Sequence, residues 1–209
     1  MTSGSASRAL KDRHEALEDA RAAQDREARK RTAIVRGAWL VALLVIGGLV
    51  TAALLSARPE TTTAEGAATP FTLPVSDGTE ASLSDFAGQP ILLYFNEGAG
   101  CDACLVQMAA IEQTPGFAEA GVTVLPIVMN TAEQINADRV RLGVETPFAL
   151  DDGTVSEAYG MLGTGMHAWL PGHGFVLIDG DGVQRWSGDY PSMWLDPDEL
   201  LDIVTAELQ

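Results

Sequence analysis

The stretch Ile91-Leu92-Leu93-Tyr94-Phe95-Asn96-Glu97-Gly98-Ala99-Gly100-Cys101-Asp102-Ala103-Cys104 holds the chain's two cysteines, spaced Cys-x-x-Cys. The apolar run Ile91–Phe95 reads as a buried strand. Leu105, Met108, Ile111 and Glu112 then begin a helical pattern. The cysteines therefore stand where a strand hands over to a helix. Two residues three apart at a helix start lie on one face, within reach of a disulfide across one turn. Backbone N–H groups at a helix N-terminus favour a nearby thiolate. A pair so placed can open and close as a dithiol.

Three other readings of the pair stay open on the residues alone. A structural zinc site needs about four ligands. No second Cys pair exists, and only His167 and His173 follow. An inert structural disulfide outside the cell is the second. Two unconnected cysteines are the third. Strand, loop, Cys-x-x-Cys and helix in that order favour the redox-active pair.

The 209 residues carry a net charge of −16, unevenly placed. Residues 1–59 hold ten Lys/Arg and six Asp/Glu, whereas residues 60–209 hold three (Arg139, Arg141, Arg185) and twenty-three. So acidic a body argues against nucleic-acid binding, which depends on neutralising phosphate. The acidity suits solubility outside the cell.

Residues 1–32 form a charged segment, and Arg8 to Arg31 reads as a solvated helix without the clean heptads of a coiled coil. The anchor is assigned to residues 33–57. Within it Gly37 to Ala57 runs 21 positions without a charge. That length matches a hydrocarbon core of roughly 30 Å at about 1.5 Å per residue. Arg26, Arg29, Lys30, Arg31 and Arg36 precede the run and only Arg58 closely follows. The positive-inside rule then keeps the N-terminus cytoplasmic and puts the remainder outside a cell membrane crossed once. A cleaved signal peptide is the alternative, opposed by the long region before the run and the run's length. Residues 58–69 read as a flexible Thr/Ala/Glu tether.

The folded domain is expected over residues 70–209. Asp77-Gly78 between 71–73 and 81–83 signals a hairpin. Val122–Val128 reads as a strand. Thr131 with Gln134 is a capping-box signal for a helix through about Leu142. Phe148–Leu150 reads as a short strand and Thr154–Tyr159 as a short helix. Phe175–Ile178 and Val183–Ser187 read as strands joined by Asp181-Gly182. Asp196, Pro197 and Glu199 open a final helix through Leu208. The class is α/β, a central sheet flanked by helices.

This order resembles the thioredoxin fold, in its TlpA/redoxin and AhpC/TSA branch. The resemblance rests on Phe71-Thr72-Leu73, Asp77-Gly78, Leu83 to Gly88, Ile91 to Phe95, Cys101/Cys104, Gly174 to Asp179 and Gly182. It implies a thioredoxin-like sheet behind a single transmembrane helix, as in TlpA-like proteins. It also implies that Cys101 is the attacking thiol and Cys104 the resolving one. Two departures bear on activity. Gly100, not Trp, precedes the first cysteine. Peroxiredoxins use Pro-x-x-x-Thr/Ser-x-x-Cys with an arginine; here Gly98 stands in the hydroxyl position, and no arginine leads into Phe175.

The function expected is a membrane-anchored, extracytoplasmic thiol-disulfide oxidoreductase. Its partners would be protein thiols and disulfides and a membrane or exported electron donor, without nucleic acid or cofactor. A thiol peroxidase is the alternative, and a copper-binding chaperone of the Sco kind the third. Pro171 is expected to act as the cis-proline that faces the dithiol in this fold. His173 and His167 are expected in the same loop as supporting residues. If a metal binds, Cys101, Cys104 and His173 would hold it, since thiolate and imidazole suit Cu(I). Asp102 and Glu97 should disfavour the thiolate and so predict a reducing or intermediate potential. Trp169, Trp186, Trp194 and Met193 are candidates for a partner-facing rim or for the core.

Overall fold

A computed structural model describes residues 3–56, 58–63, 66–163 and 168–209. The chain divides into two units, Met1–Leu55 and Ser56–Gln209. The first is a single helix, α1 (Ser3–Ser56), continuous through the junction expected between the charged segment and the anchor. Its Arg29–Leu55 portion is long and apolar enough to cross a membrane, and none of it is buried against protein.

The second unit is built on a sheet of seven strands among the described residues. In chain order they are β1 (Glu60–Thr62), β2 (Gly66–Ala67), β5 (Ile91–Phe95), β6 (Thr123–Val128), β7 (Ala149–Leu150), β8 (Gly174–Ile178) and β9 (Val183–Asp189). The gap in that series is the separate hairpin of β3 (Thr72–Pro74) and β4 (Glu80–Ser82). Across the sheet the order is β1-β9-β8-β5-β6-β7, with β2 also on β9. Pairing is parallel for β5/β6 and β6/β7 and antiparallel for β5/β8 and β8/β9. The helices are α2 (Asp102–Glu112), α3 (Gly116–Glu119), α4 (Ala132–Leu142), α5 (Thr154–Ala158) and α6 (Pro197–Glu207).

All five residues of β5 are buried, and its alternation splits them between two cores. Leu92 and Tyr94 pack with Leu105, Met108 and Leu200 from α2 and α6. Ile91, Leu93 and Phe95 pack on the other face with Phe71, Leu73 and Tyr159. A strand buried on both faces must be apolar throughout, which is why Ile91–Phe95 shows no alternation in sequence. Pro126 is tolerated in β6 because β7 pairs only with Ile127 and Val128.

The capping signals act as read. Thr131 Oγ1 accepts from the Gln134 N–H and Gln134 Oε1 from the Thr131 N–H. Asp196 accepts from the Asp198 and Glu199 N–H groups ahead of Pro197. One expectation is corrected. Residues 58–69 are not structureless: Glu60–Thr62 and Gly66–Ala67 add to β9. Both are exposed and held through backbone pairing, so no apolar pattern announced them. α2 ends at Glu112, and Pro115 then caps the single turn α3, as a proline just ahead of a helix can.

Candidate active site

β5 ends at Phe95 and the chain turns through Asn96–Gly100 into α2. The buried Asn96 organises this loop. Its side chain accepts from the Gly98 N–H (3.0 Å) and donates to the Tyr94 carbonyl (3.2 Å). The loop is also held from outside. The Ala99 N–H donates to Asn130 Oδ1 (2.8 Å) and the Gly100 N–H to Asp138 Oδ2 (2.9 Å). Gly98 has φ +72°, and a Cβ there would fall on Asn130 Oδ1 and lie 2.7 Å from Val128 Cγ1. The position where a peroxiredoxin would carry its hydroxyl thus has room for no side chain.

Cys101 caps α2, and its sulfur accepts from the Cys104 N–H (3.3 Å). The two cysteines are joined as a disulfide with Cα atoms 5.4 Å apart. Cys101 is half-buried, and Cys104 has no exposed surface. One sulfur can thus be approached from solvent and the other only through the first.

Asp102 does not stand as an uncompensated charge, contrary to the sequence expectation. Arg141 of α4 grips it through both terminal nitrogens, at 2.5 and 3.1 Å, and also bonds Asp138 at 3.0 and 3.1 Å. The Arg141 bond holds the Asp102 carboxyl below the ordinary range. For Asp138 the Gly100 N–H does most of this, with Arg141 second. The guanidinium thereby offsets the carboxylate beside Cys101 and ties the loop to α4.

Behind the disulfide, the Tyr94 hydroxyl donates to the Cys104 carbonyl (3.1 Å) and lies 3.2 Å from His173 Nδ1. Tyr94 stacks on Phe175, its cross-strand partner, and His173 meets both rings edge-on. Burial pushes the His173 pKa down to about 4 and the Tyr94 hydroxyl well up. His173 Nε2 has no partner.

Of the expected site residues, the structure joins Cys101 and Cys104 directly and brings His173 to them only through Tyr94. Pro171 is not a cis-proline: the described residues contain no cis peptide, and Pro171 bridges to Leu162. It stands three residues before Gly174, the first residue of β8. His167 and Met166 lie outside the described residues. No three His, Cys, Asp or Glu side chains gather as a metal-holding group among the described residues, so Cys101, Cys104 and His173 are not assembled as one. Trp186 is core, whereas Trp169 and Trp194 are exposed. Sequence reading missed Arg141, Asn130 and Tyr94. Asp138 and Arg141 were readable as neighbours on one helix face, but nothing in the sequence aimed that face at Asp102.

Residues 65–187 match the AhpC/TSA family. The chain belongs to the AhpC/TSA family. Among curated relatives, peroxiredoxin Bcp of Escherichia coli K12 is 33% identical over 96 residues, 44% of this chain and 61% of that protein. Chloroplastic peroxiredoxin Q of Sedum lineare is 27% identical over 115 residues, 54% of this chain and 62% of that protein. The chain thus spans about three-fifths of the curated relatives it matches. Among solved structures, peroxidoxin BcpB of Mycobacterium tuberculosis superposes with a TM-score of 0.58 at 19% identity, covering 70% of this chain and 96% of that one. The reduced 2-Cys peroxiredoxin of Plasmodium vivax gives 0.60 at 22%, covering 69% and 96%. The fold of this AhpC/TSA member is thioredoxin-like.

Proposed function

We propose that the Cys101–Cys104 pair is a redox-active dithiol and that the chain is a membrane-anchored thiol-disulfide oxidoreductase. The observation that carries this is the unequal exposure of two bonded cysteines at the start of α2. In the reduced protein the Cys101 thiolate attacks a partner disulfide, one partner sulfur leaves as thiolate, and a mixed disulfide forms. Cys104 gives up its proton and attacks the Cys101 sulfur, expelling the second partner thiolate. The partner gains two electrons and the protein is left with its disulfide. The reverse sequence oxidises a partner dithiol. Arg141 offsets Asp102 beside the reacting sulfur, and the α2 N-terminus favours its thiolate. His173, one side chain removed, acts as a positioning residue through Tyr94.

A thiol peroxidase is the second reading, favoured by the names of the curated relatives. Cys101 would attack a peroxide oxygen, release an alcohol or water, and become a sulfenic acid that Cys104 condenses to the disulfide with loss of water. Against it stands Gly98: peroxide cleavage needs positioned donors, and the loop admits no side chain there. The experiment times oxidation of the reduced chain by hydrogen peroxide against a small dithiol at equal pH. A rate no faster than the small dithiol's is expected; a far faster one would replace the first reading by the second. In parallel, Cys104→Ser should accumulate disulfide-linked protein partners.

The apolar Arg29–Leu55 helix supports anchoring, and the basic residues Arg26 to Arg36 around its start support a cytoplasmic N-terminus with the AhpC/TSA domain outside. Protease added to intact cells should then degrade the domain and spare the N-terminal segment.

A further inference from the structure

A cavity of about 190 Å³ adjoins the loop that leads to Cys101, lined by Glu97, Gly172, His173, Asp189, Pro191 and Met193. Its polar side chains are those of Glu97, His173 and Asp189. His173 is 2% exposed, and its Nε2 is without a partner. The ring is neutral near pH 7, because burial keeps its pKa at about 4. A neutral imidazole has one N–H. With the Tyr94 proton on the Cys104 carbonyl, Nδ1 donates to the phenol oxygen and Nε2 presents a bare lone pair. Asp189 is half-buried, and burial pushes its carboxyl up, so a positive neighbour would relieve it.

We propose that this cavity receives a positively charged amino group on the partner whose thiol or disulfide reacts at Cys101. The proposal rests on the disulfide-exchange reading and names the class of partner. An ammonium group has three donors and no acceptor, which complements the Asp189 carboxylate and a lone pair. The field of the whole domain acts in the same sense. Residues 60–209 hold three Lys/Arg against twenty-three Asp/Glu. The cation beside the disulfide, Arg141, is already engaged by Asp102 and Asp138. An anionic partner would meet this surface at a disadvantage.

The test uses the full chain in detergent, reduced, with three probes: cystamine, bis(2-hydroxyethyl) disulfide and dithiodipropionate. Each is reduced to two thiols as the protein forms its disulfide. Every rate is divided by that of dithiothreitol with the same probe, which removes the probe's intrinsic reactivity. Cystamine is expected to exceed the neutral probe by about tenfold, the factor for one hydrogen bond to a charged group. The preference should survive high salt and fall severalfold in Asp189→Asn and in His173→Gln. Asp189→Asn, which keeps the side chain's size, carries the test if His173→Gln does not fold. Equal normalised rates for the three probes would overturn the proposal, leaving the exchange reading intact. So would a preference abolished by salt, which is long-range field alone, or one unaltered in Asp189→Asn. Failure of every probe to react faster than with dithiothreitol would instead remove the exchange reading, and this proposal with it.

Discussion

Gly98→Ala tests whether the loop before Cys101 is shaped by close packing or merely by backbone freedom. Gly143, which ends α4, supplies the control. Both glycines have φ +72°, but a Cβ at Gly143 meets nothing within 4 Å. Gly143→Ala should therefore cost only the left-handed backbone penalty, about 1–2 kcal/mol. Gly98→Ala has that cost and a second one, because Asn130 Oδ1 must leave and the Ala99 N–H loses its acceptor. An orphaned, partly buried donor costs about 1–3 kcal/mol. The two variants should then differ by about 2 kcal/mol, or roughly 4–8 °C in Tm for a unit of this size. Thermal unfolding of the oxidised chains, followed by tryptophan fluorescence, measures the difference. Two variants melting together would refute the reasoning, and the argument against a hydroxyl side chain at position 98 would fall with it.

Other expectations concern the charges and the buried polar pair. His173 has a folded pKa of about 4 against an ordinary 6.5, so the unfolded chain takes up the proton first. Its contribution is fully present above pH 6.5 and is lost as pH falls towards 4, up to about 3 kcal/mol. Stability measured from pH 7 to 4 should fall less steeply in His173→Gln than in the parent; parallel curves would contradict this. Tyr94→Phe leaves the His173 Nδ1 and the Cys104 carbonyl without the phenol, and should lower stability by about 1–3 kcal/mol in denaturant titrations. Arg141→Ala removes an exposed ion pair, so the unfolding midpoint should barely move. Alkylation of Cys101 by iodoacetamide should nonetheless slow by roughly two- to fivefold, since Asp102 is then left unopposed. Faster alkylation would mean that Arg141 hinders Cys101 more than it activates it.

Much of the domain was legible along the chain. Ile91–Phe95, the Cys-x-x-Cys at a helix start, the Thr131/Gln134 box and Asp196-Pro197 each carry a local physical signal. Each folded as that signal implies. β1 and β2 were not legible, because edge pairing through backbone groups leaves no pattern in side chains. Pro171 misled because a proline in sequence does not state its isomer.

The sequence by itself determined most of the elements of this AhpC/TSA member, the placing of its cysteine pair at a helix start and the acidity of its domain, because strand burial, capping and spacing act between residues close along the chain. Only the tertiary structure decided the surroundings of the sulfurs. Arg141 reaches Asp102 from 39 residues away, and Tyr94 meets His173 across 79. Asn130 closes the space over Gly98 from a different strand end. Such contacts depend on which helix lies over which strand, and that is set by the packing of two cores on one sheet, not by any local run of residues.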